Sequence, residues 1–245
     1  MLLWFRTWRR KRTVAAHERV HGSVYDFHGV KVELPPAFSV DLKNALLKNK
    51  YEAEEREYVE TYLPQGCDVL ELGGSVGVLA SFTRSKMQSD TKQIVVEAIP
   101  ELAEICARNL STHDTASKSK VIQAAVSYQD AKTISFTVGD NPHVGRIGGA
   151  GSRTVEVPVV TLEQICETND LKDFVLICDI EGAELDLFGA SAIWRRNCRL
   201  IILETHPDDY ANGADDQKAL IATIAEAGFH VLAESRGVYA LGRDN

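Results

Sequence analysis

The sequence lacks any apolar run approaching the roughly 18 residues that a membrane-spanning helix needs. Its first stretch, Met1–Trp8, is apolar and aromatic, but Arg9–Arg12 arrives too early for a signal-peptide core. Paired cysteines are also missing. Cys67, Cys106, Cys166, Cys178 and Cys198 are scattered, odd in number and never spaced Cys-x-x-Cys, which fits a reducing compartment and gives a structural zinc site little support. No internal repeat occurs, and no low-complexity segment beyond a glycine-rich loop at Gly139–Arg153. Positive charge is in deficit: 27 Lys and Arg stand against 35 Asp and Glu, a net −8 that argues against nucleic acid as a partner of the main body.

What is present suits a soluble α/β protein expected in the cytoplasm. With 245 residues, 44% hydrophobic and 25% charged, the chain can bury one substantial core. Its charge is unevenly placed. Residues 1–21 carry +5 and the remainder −13. The basic head places Trp4, Phe5 and Trp8 beside four basic residues. One reading is peripheral contact of residues 1–12 with an anionic membrane surface; the other is a helical arm packed on its own domain or on a partner. The expected organisation is a basic arm and helical extension over residues 1–50 and a main domain over 51–245.

Strand and helix patterns alternate from Asp68 to Glu204. Apolar strands are expected at Asp68–Leu72, Gln93–Glu97, Lys120–Ser127, Phe174–Asp179 and Leu200–Glu204, with helices at Gly77–Met87, Pro100–His113, Thr161–Thr168 and Gly182–Gly189. Phe174–Asp179 is apolar throughout, as in a strand buried on both faces. Phe229–Glu234 and Val238–Leu241 read as a closing hairpin around Arg236-Gly237, after a helix at Ala214–Ala227. Upstream, a small hairpin around His28-Gly29 and helices over Ser39–Lys50 and Glu52–Tyr62 are expected. Such alternation predicts a parallel sheet covered by helices.

The first strand of this unit ends in Glu71-Leu72-Gly73-Gly74-Ser75-Val76-Gly77, a strand–glycine–helix junction of the kind that binds ligands at the carboxyl edge of a parallel sheet. A dinucleotide fingerprint would place glycine at positions 75 and 78, where Ser75 and Val78 stand, so that pattern fails. An acid two residues before the first glycine suits a ligand with an ammonium group and no pyrophosphate, and S-adenosylmethionine is such a ligand. Glu97, at the end of the next strand and 26 residues after Glu71, is placed to accept hydrogen bonds from both ribose hydroxyls. An acid there also serves nicotinamide enzymes, so Glu97 alone does not separate the two cofactors. Glu71, Gly73, Gly74, Ser75, Gly77, Glu97, Ala98, Ala125 and Asp179 are the expected cofactor-binding residues.

Val69–Gly77, then Val95-Val96-Glu97-Ala98, and above all Asp179-Ile180-Glu181-Gly182-Ala183-Glu184 resemble the FkbM-type methyltransferases over roughly Tyr51–Leu241. The resemblance implies a Rossmann-like class I methyltransferase fold, S-adenosylmethionine as methyl donor, and methylation of hydroxyl oxygens on sugars, glycans or related small molecules. The sequence departs from the family where Glu71 replaces the commoner Asp and Gly73-Gly74-Ser75 replaces Gly-Ala-Asn.

Methyl transfer from an activated donor relies on alignment, and a hydroxyl acceptor benefits further from a base. Asp179, Glu181, Glu204 and His206, at two neighbouring strand ends, are the expected catalytic residues. Glu184 reads as an acid stabilising a helix N-terminus. His206, before Pro207, reads equally as a loop residue. These acids and imidazole are ligand types that magnesium accepts, but nothing in their spacing requires a metal. In the glycine-rich loop, His143, Arg146 and Arg153 are placed to cover an acceptor. Two other readings compete: a nicotinamide-dependent oxidoreductase on a similar sheet, and a non-catalytic scaffold that docks to a membrane or partner through its basic arm.

Overall fold

The computed structural model describes residues 2–36, 38–138, 145–147 and 153–243. Helix α1 (Leu2–His21) leads into a hairpin of β1 (Val24–Phe27) and β2 (Val30–Glu33), turned at His28 and Gly29 as expected. Helix α2 (Val40–Leu46) starts where the Ser39 hydroxyl accepts from the Leu42 amide, and α3 (Ala53–Tyr62) follows after a turn. The expected helix Ser39–Lys50 therefore stops short at Leu46.

The alternating region then runs β3 (Asp68–Leu72), α4 (Val78–Lys86), β4 (Gln93–Glu97), α5 (Pro100–Ser111) and β5 (Ser119–Gln123). Lys120–Ser127 is not one strand. The chain leaves the main sheet after Gln123, and β6 (Ala125–Val126) pairs with a second, smaller sheet containing β7 (Thr133–Val138), β8 (Gly145–Ile147) and β9 (Arg153–Val160). Apolar Ala125 and Val126 extend the strand pattern in sequence, but their partners are Val159 and Val160 rather than β4. His143 lies outside the described residues, as do the side chains of Arg146, Arg153, Trp4 and Phe5.

Helix α6 (Leu162–Asn169) opens with a reciprocal cap between Thr161 and Gln164. Strand β10 (Phe174–Cys178), helix α7 (Glu184–Ala190), a short helix α8 (Ile193–Asn197) and β11 (Cys198–Glu204) follow. After a 3-10 turn at Pro207–Asp209 come α9 (Ala214–Glu226), β12 (His230–Ser235) and β13 (Val238–Gly242).

The main sheet has seven strands in the order β5-β4-β3-β10-β11-β13-β12. From β5 to β11 the pairs are parallel; β13 runs antiparallel to both β11 and β12. This is the expected mostly parallel sheet with a C-terminal antiparallel hairpin, a Rossmann-like class I methyltransferase fold. The chain steps outward from β3 to β4 on one side and returns to β10 on the other. That reversal opens a crevice at the carboxyl ends of β3 and β10, where such sheets bind ligands.

Alternation along the strands divides the core. Val69, Val175, Ile177, Leu200 and Ile202 face one side, where they pack with α3, α4 and the β1–β2 hairpin. Tyr25, Phe27 and Leu34, from the hairpin and the residue after it, are fully buried there. Leu70, Leu72, Leu176, Ile201 and Leu203 face the other side, packed with α6, α7 and α9, and Trp194 of α8 is fully buried among them.

Candidate active site

The glycine loop is shaped by its neighbours. Gly73 has φ +91°, and a Cβ there would lie 1.7 Å from the carbonyl oxygen of Asp179, so no side chain fits between the ends of β3 and β10. The Asp179 amide donates to Leu72 O at 2.9 Å and the Gly73 amide to Val96 O at 2.9 Å, tying three strand ends together. Gly74 passes close to Val95, and Gly77 opens α4 at φ +76°. Both shape the loop without lining the cleft beyond it.

Gly73, Ser75, Glu97, Ala98, Ala125, Asp179 and Glu181 all line that cleft. Apolar walls come from Val96, Leu102 and Val126 among others. Glu97 is buried, and each carboxylate oxygen accepts one backbone N–H: Oε2 from Ser75 and Oε1 from Ile99, both at 2.7 Å. Burial pushes its pKa up to about 7, against the opposing pull of the Ile99, Ser75 and Ala98 amides. A carboxylate has about four lone-pair sites, so acceptor capacity remains for ligand hydroxyls beyond the backbone amides.

At the other wall, His206 sits among three acids. Its Nδ1 lies 2.7 Å from Oε1 of Glu184, and its Nε2 lies 3.4 Å from Oδ1 of Asp179 and 3.8 Å from Oε2 of Glu181. Glu184 has no solvent exposure, and it also accepts from the Tyr210 hydroxyl at 3.0 Å and the Gly182 amide at 3.2 Å. Burial works against a charged imidazole, but the Glu184 hydrogen bond and the charges of Asp179, Glu184 and Glu181 outweigh it and lift His206 to about 9. Asp179 moves well above the ordinary carboxylate range, driven by burial and by the nearby Glu204, with His206 opposing.

The structure thus gathers Asp179, Glu181 and His206 into one cluster. Their ligand atoms lie within 4.8 Å of one another, close enough for one divalent cation as well as for an imidazolium. Glu204 is turned toward α3, where its carboxyl hydrogen-bonds that of Glu55; burial, and then the charge of Glu204, raise the Glu55 pKa to about 8. Glu71 lines neither the main cleft nor the cluster. It is buried in a smaller pocket that shares Gly73 and Asp179 with the lining of the cleft. Glu184 does stand in the first turn of α7, as its sequence position suggests, but its carboxylate is spent on His206 and Tyr210. Nothing in the sequence marks that role, because a first-turn acid is ordinary by itself.

The cleft fits the methyl donor that the sequence suggests. Ser75 Oγ is buried without a hydrogen bond, and Asp179 Oδ1 has the His206 ion pair at 3.4 Å but no hydrogen bond, so the wall offers polar atoms with spare capacity to a ligand. Glu97 stands ready for ribose hydroxyls at one end, and acids await a cationic centre at the other.

Residues 71–231, well over half of the chain, match the model of the methyltransferase FkbM domain. No curated protein matches the sequence. Among solved structures, the chain is similar to a protein of the NADB-Rossmann superfamily from Streptococcus agalactiae, with 15% identity over 78% of this chain and 69% of that one, at a TM-score of 0.45. It is similar also to a TehB-like SAM-dependent methyltransferase from Corynebacterium glutamicum (9% identity, 83% and 94% covered, TM-score 0.45). A third likeness is to Aeropyrum pernix fibrillarin with natively bound S-adenosyl-L-methionine (14% identity, 94% and 85% covered, TM-score 0.44). Likenesses this distant assign no activity. The family match does, and the chain belongs to the FkbM methyltransferase family as an S-adenosylmethionine-dependent methyltransferase.

Proposed function

We propose that this methyltransferase acts on a hydroxyl oxygen of a sugar, glycan or related small-molecule acceptor, with His206 as the base that receives the hydroxyl proton. The observation that carries the reading is the 2.7 Å contact between Nδ1 of His206 and the fully buried Glu184. It fixes the ring and leaves Nε2 facing Asp179 and Glu181 on the cleft wall.

S-adenosylmethionine, when bound, supplies a methyl group on a sulfonium, already activated for in-line displacement. Glu97, Ala98 and Ala125 hold the nucleoside end, while Gly73 and Ser75 keep the loop against it. A hydroxyl is a weak nucleophile, and a positioned base contributes about 10²–10⁴-fold. Glu181 and Asp179 orient the acceptor and share the charge on His206. With its pKa lifted to about 9, His206 carries a proton near neutrality and becomes a base as that proton is drawn away at higher pH.

Incubation with methyl-labelled donor and a panel of sugars and glycans, followed by mass and linkage analysis of the product, tests this reading. The expected product is a methyl ether. A product methylated on nitrogen or carbon, with no ether formed, rejects the hydroxyl assignment while leaving the methyltransferase class intact.

A further inference from the structure

Helix α5 backs the glycine loop. Leu102, Cys106 and Asn109 share its buried face at helical spacing. Leu102 lines the cleft, and a Cβ added at Gly77 would meet the Cα of Cys106 at 3.0 Å. Asn109 is 3% exposed, and its side chain is used in full. Nδ2 donates to Val76 O in the loop at 2.8 Å and to Glu33 O at the end of β2 at 3.0 Å. Oδ1 accepts from the Glu33 amide at 2.7 Å. The partners fix which way the amide points, because two carbonyls can only accept and an N–H can only donate. An amide on a buried helix face is costly unless its groups are paired, and here the pairing joins the N-terminal hairpin to the loop.

Val76 stands between Ser75 and Gly77. Ser75 has φ +45°, a left-handed conformation that a serine keeps only where its surroundings over-determine it. Its amide donates to Oε2 of Glu97 at 2.7 Å. The loop is therefore gripped at neighbouring residues: Glu97 takes the Ser75 amide, and Asn109 takes the Val76 carbonyl.

We infer that Asn109 is a positioning residue for methyl-donor binding: anchored on the backbone of Glu33, it holds Val76 O and so keeps the Ser75 amide on Glu97. The inference rests on Glu97 and the glycine loop as the donor site. It gives the β1–β2 hairpin, which lies outside the residues that match the family model, a part in donor binding. The Ser75 amide is one of the backbone groups that pull the Glu97 pKa down against burial. Releasing the loop removes that pull, so Glu97 would ionise above its present value of about 7. Cys106 faces Glu97 from α5 with a thiol that burial keeps neutral. The pH midpoint of donor affinity thus reports the Ser75 contact, and a purely structural role for Asn109 would leave it in place.

The test is calorimetric binding of S-adenosylhomocysteine from about pH 6 to about pH 9 by the wild-type chain and by Asn109→Leu, which keeps the volume and loses the hydrogen bonds. The variant is expected to bind about tenfold more weakly at about pH 8, and its affinity to rise with pH at a higher midpoint than in the wild type. A lowered melting temperature with affinity unchanged, or a weaker affinity with the midpoint unmoved, overturns the inference. Should Asn109→Leu fail to fold, the wild-type protein decides by reciprocity: bonds that favour the donor must be favoured by it to the same factor. Saturation with S-adenosylhomocysteine is then expected to slow solvent exchange of the Asn109 side-chain amide protons, read by nuclear magnetic resonance, about tenfold more than at Asn169. Asn169 is the comparison because its Nδ2 donates to Ile165 O at 2.7 Å on α6, which lines no part of the cleft. An equal change at both residues overturns the inference, since the ligand then stabilises the fold as a whole. Failure of the wild-type protein to bind S-adenosylhomocysteine rejects the cofactor reading itself, and the inference with it, an outcome distinct from an unmoved midpoint.

Discussion

Nδ1 of His206 and Oε1 of Glu184 lie 2.7 Å apart, and Glu184 is sealed from solvent while Nε2 faces the cleft wall. A fully buried carboxylate is unfavourable unless paired, and its partners here are the imidazole, the Tyr210 hydroxyl and the Gly182 amide. The pair gives His206 both a fixed orientation and an elevated pKa.

The consequence for activity has a definite sign. With His206 lifted to about 9, the basic form grows as pH rises, so kcat/KM should climb from neutrality toward a plateau near that value. In Glu184→Gln the hydrogen bond that raises the pKa is weakened, so the rising limb should shift to lower pH. Orientation is lost at the same time, and the plateau should fall by about tenfold or more. Steady-state pH profiles of both proteins check this. A limb that stays in place in Glu184→Gln means that His206 is not the titrating base.

Glu97 makes a prediction of pH dependence in binding rather than in chemistry, rising with pH as the first does but at a lower pH. Burial raises it to about 7, and only the carboxylate can accept from two ribose hydroxyls while holding the Ser75 and Ile99 amides. Affinity for S-adenosylhomocysteine should therefore improve as pH rises through about 7 and level off above it. Glu97→Gln should weaken binding about tenfold and abolish that dependence; Glu97→Ala should weaken it further and destabilise the fold by roughly 1–3 kcal/mol, because two amides lose their acceptor. Calorimetry between pH 6 and 8 (about one unit either side of the raised pKa) reads the first effect, and thermal melting the second. Flat affinity in the wild-type protein would remove the carboxylate from ribose recognition.

Much of this site is legible in the sequence because it lies where local rules are strong. Parallel strands are apolar on both faces, so β3, β4, β10 and β11 announce themselves, and their ends fix where Glu97, Asp179 and the glycine loop must lie. The acids of α3 do not announce themselves. Glu52 and Glu55 sit at the start of a helix, where acids are common for dipole reasons alone, and only the packing of α3 on β11 turns them toward Glu71 and Glu204. Glu184 is hidden in the same way. The break between β5 and β6 is hidden for a different reason: Ala125 and Val126 look like a continued strand, and only the distant Val159 and Val160 show which sheet they join. The first 50 residues read as an extension, yet Tyr25, Phe27 and Leu46 are fully buried in the same core as β3.

Gly73 carries a structural prediction that separates loop geometry from ligand binding. At φ +91°, any side chain is strained, and a Cβ would fall 1.7 Å from a backbone oxygen that cannot move without parting β3 from β10. Gly73→Ala should cost roughly 3 kcal/mol or more, lowering the melting temperature even without ligand. At Gly74 the obstacle is the Val95 side chain, 2.3 Å from the added Cβ, which can rotate or shift more readily than backbone. Gly74→Ala should therefore be the milder of the two. Equal melting temperatures for Gly73→Ala and the wild type would contradict the close approach of the two strand ends.

The N-terminal helix divides into two parts with different expected behaviour. Near its end, Glu18 accepts from Nζ of Lys43 at 2.7 Å, and the Lys43 side chain is only 3% exposed, with Pro36 O its other partner. Removing residues 1–21 strips that buried ammonium of its carboxylate and should destabilise the fold by about 3–5 kcal/mol. Removing only residues 1–12 breaks the exposed Arg10–Asp41 pair, which should matter by less than about 1 kcal/mol. The shorter truncation is thus the right tool for the proposed membrane contact, because it removes the basic cluster while leaving Glu18 on Lys43. Trp8 is 40% exposed and Arg12 stacks over it at 4.7 Å, so an aromatic and a cation are presented together at the surface. Co-sedimentation with vesicles containing phosphatidylserine should fall on deleting residues 1–12 and should weaken with added salt in the full chain. Equal pelleting of the two proteins, with melting temperatures also equal, would leave the arm without a membrane role.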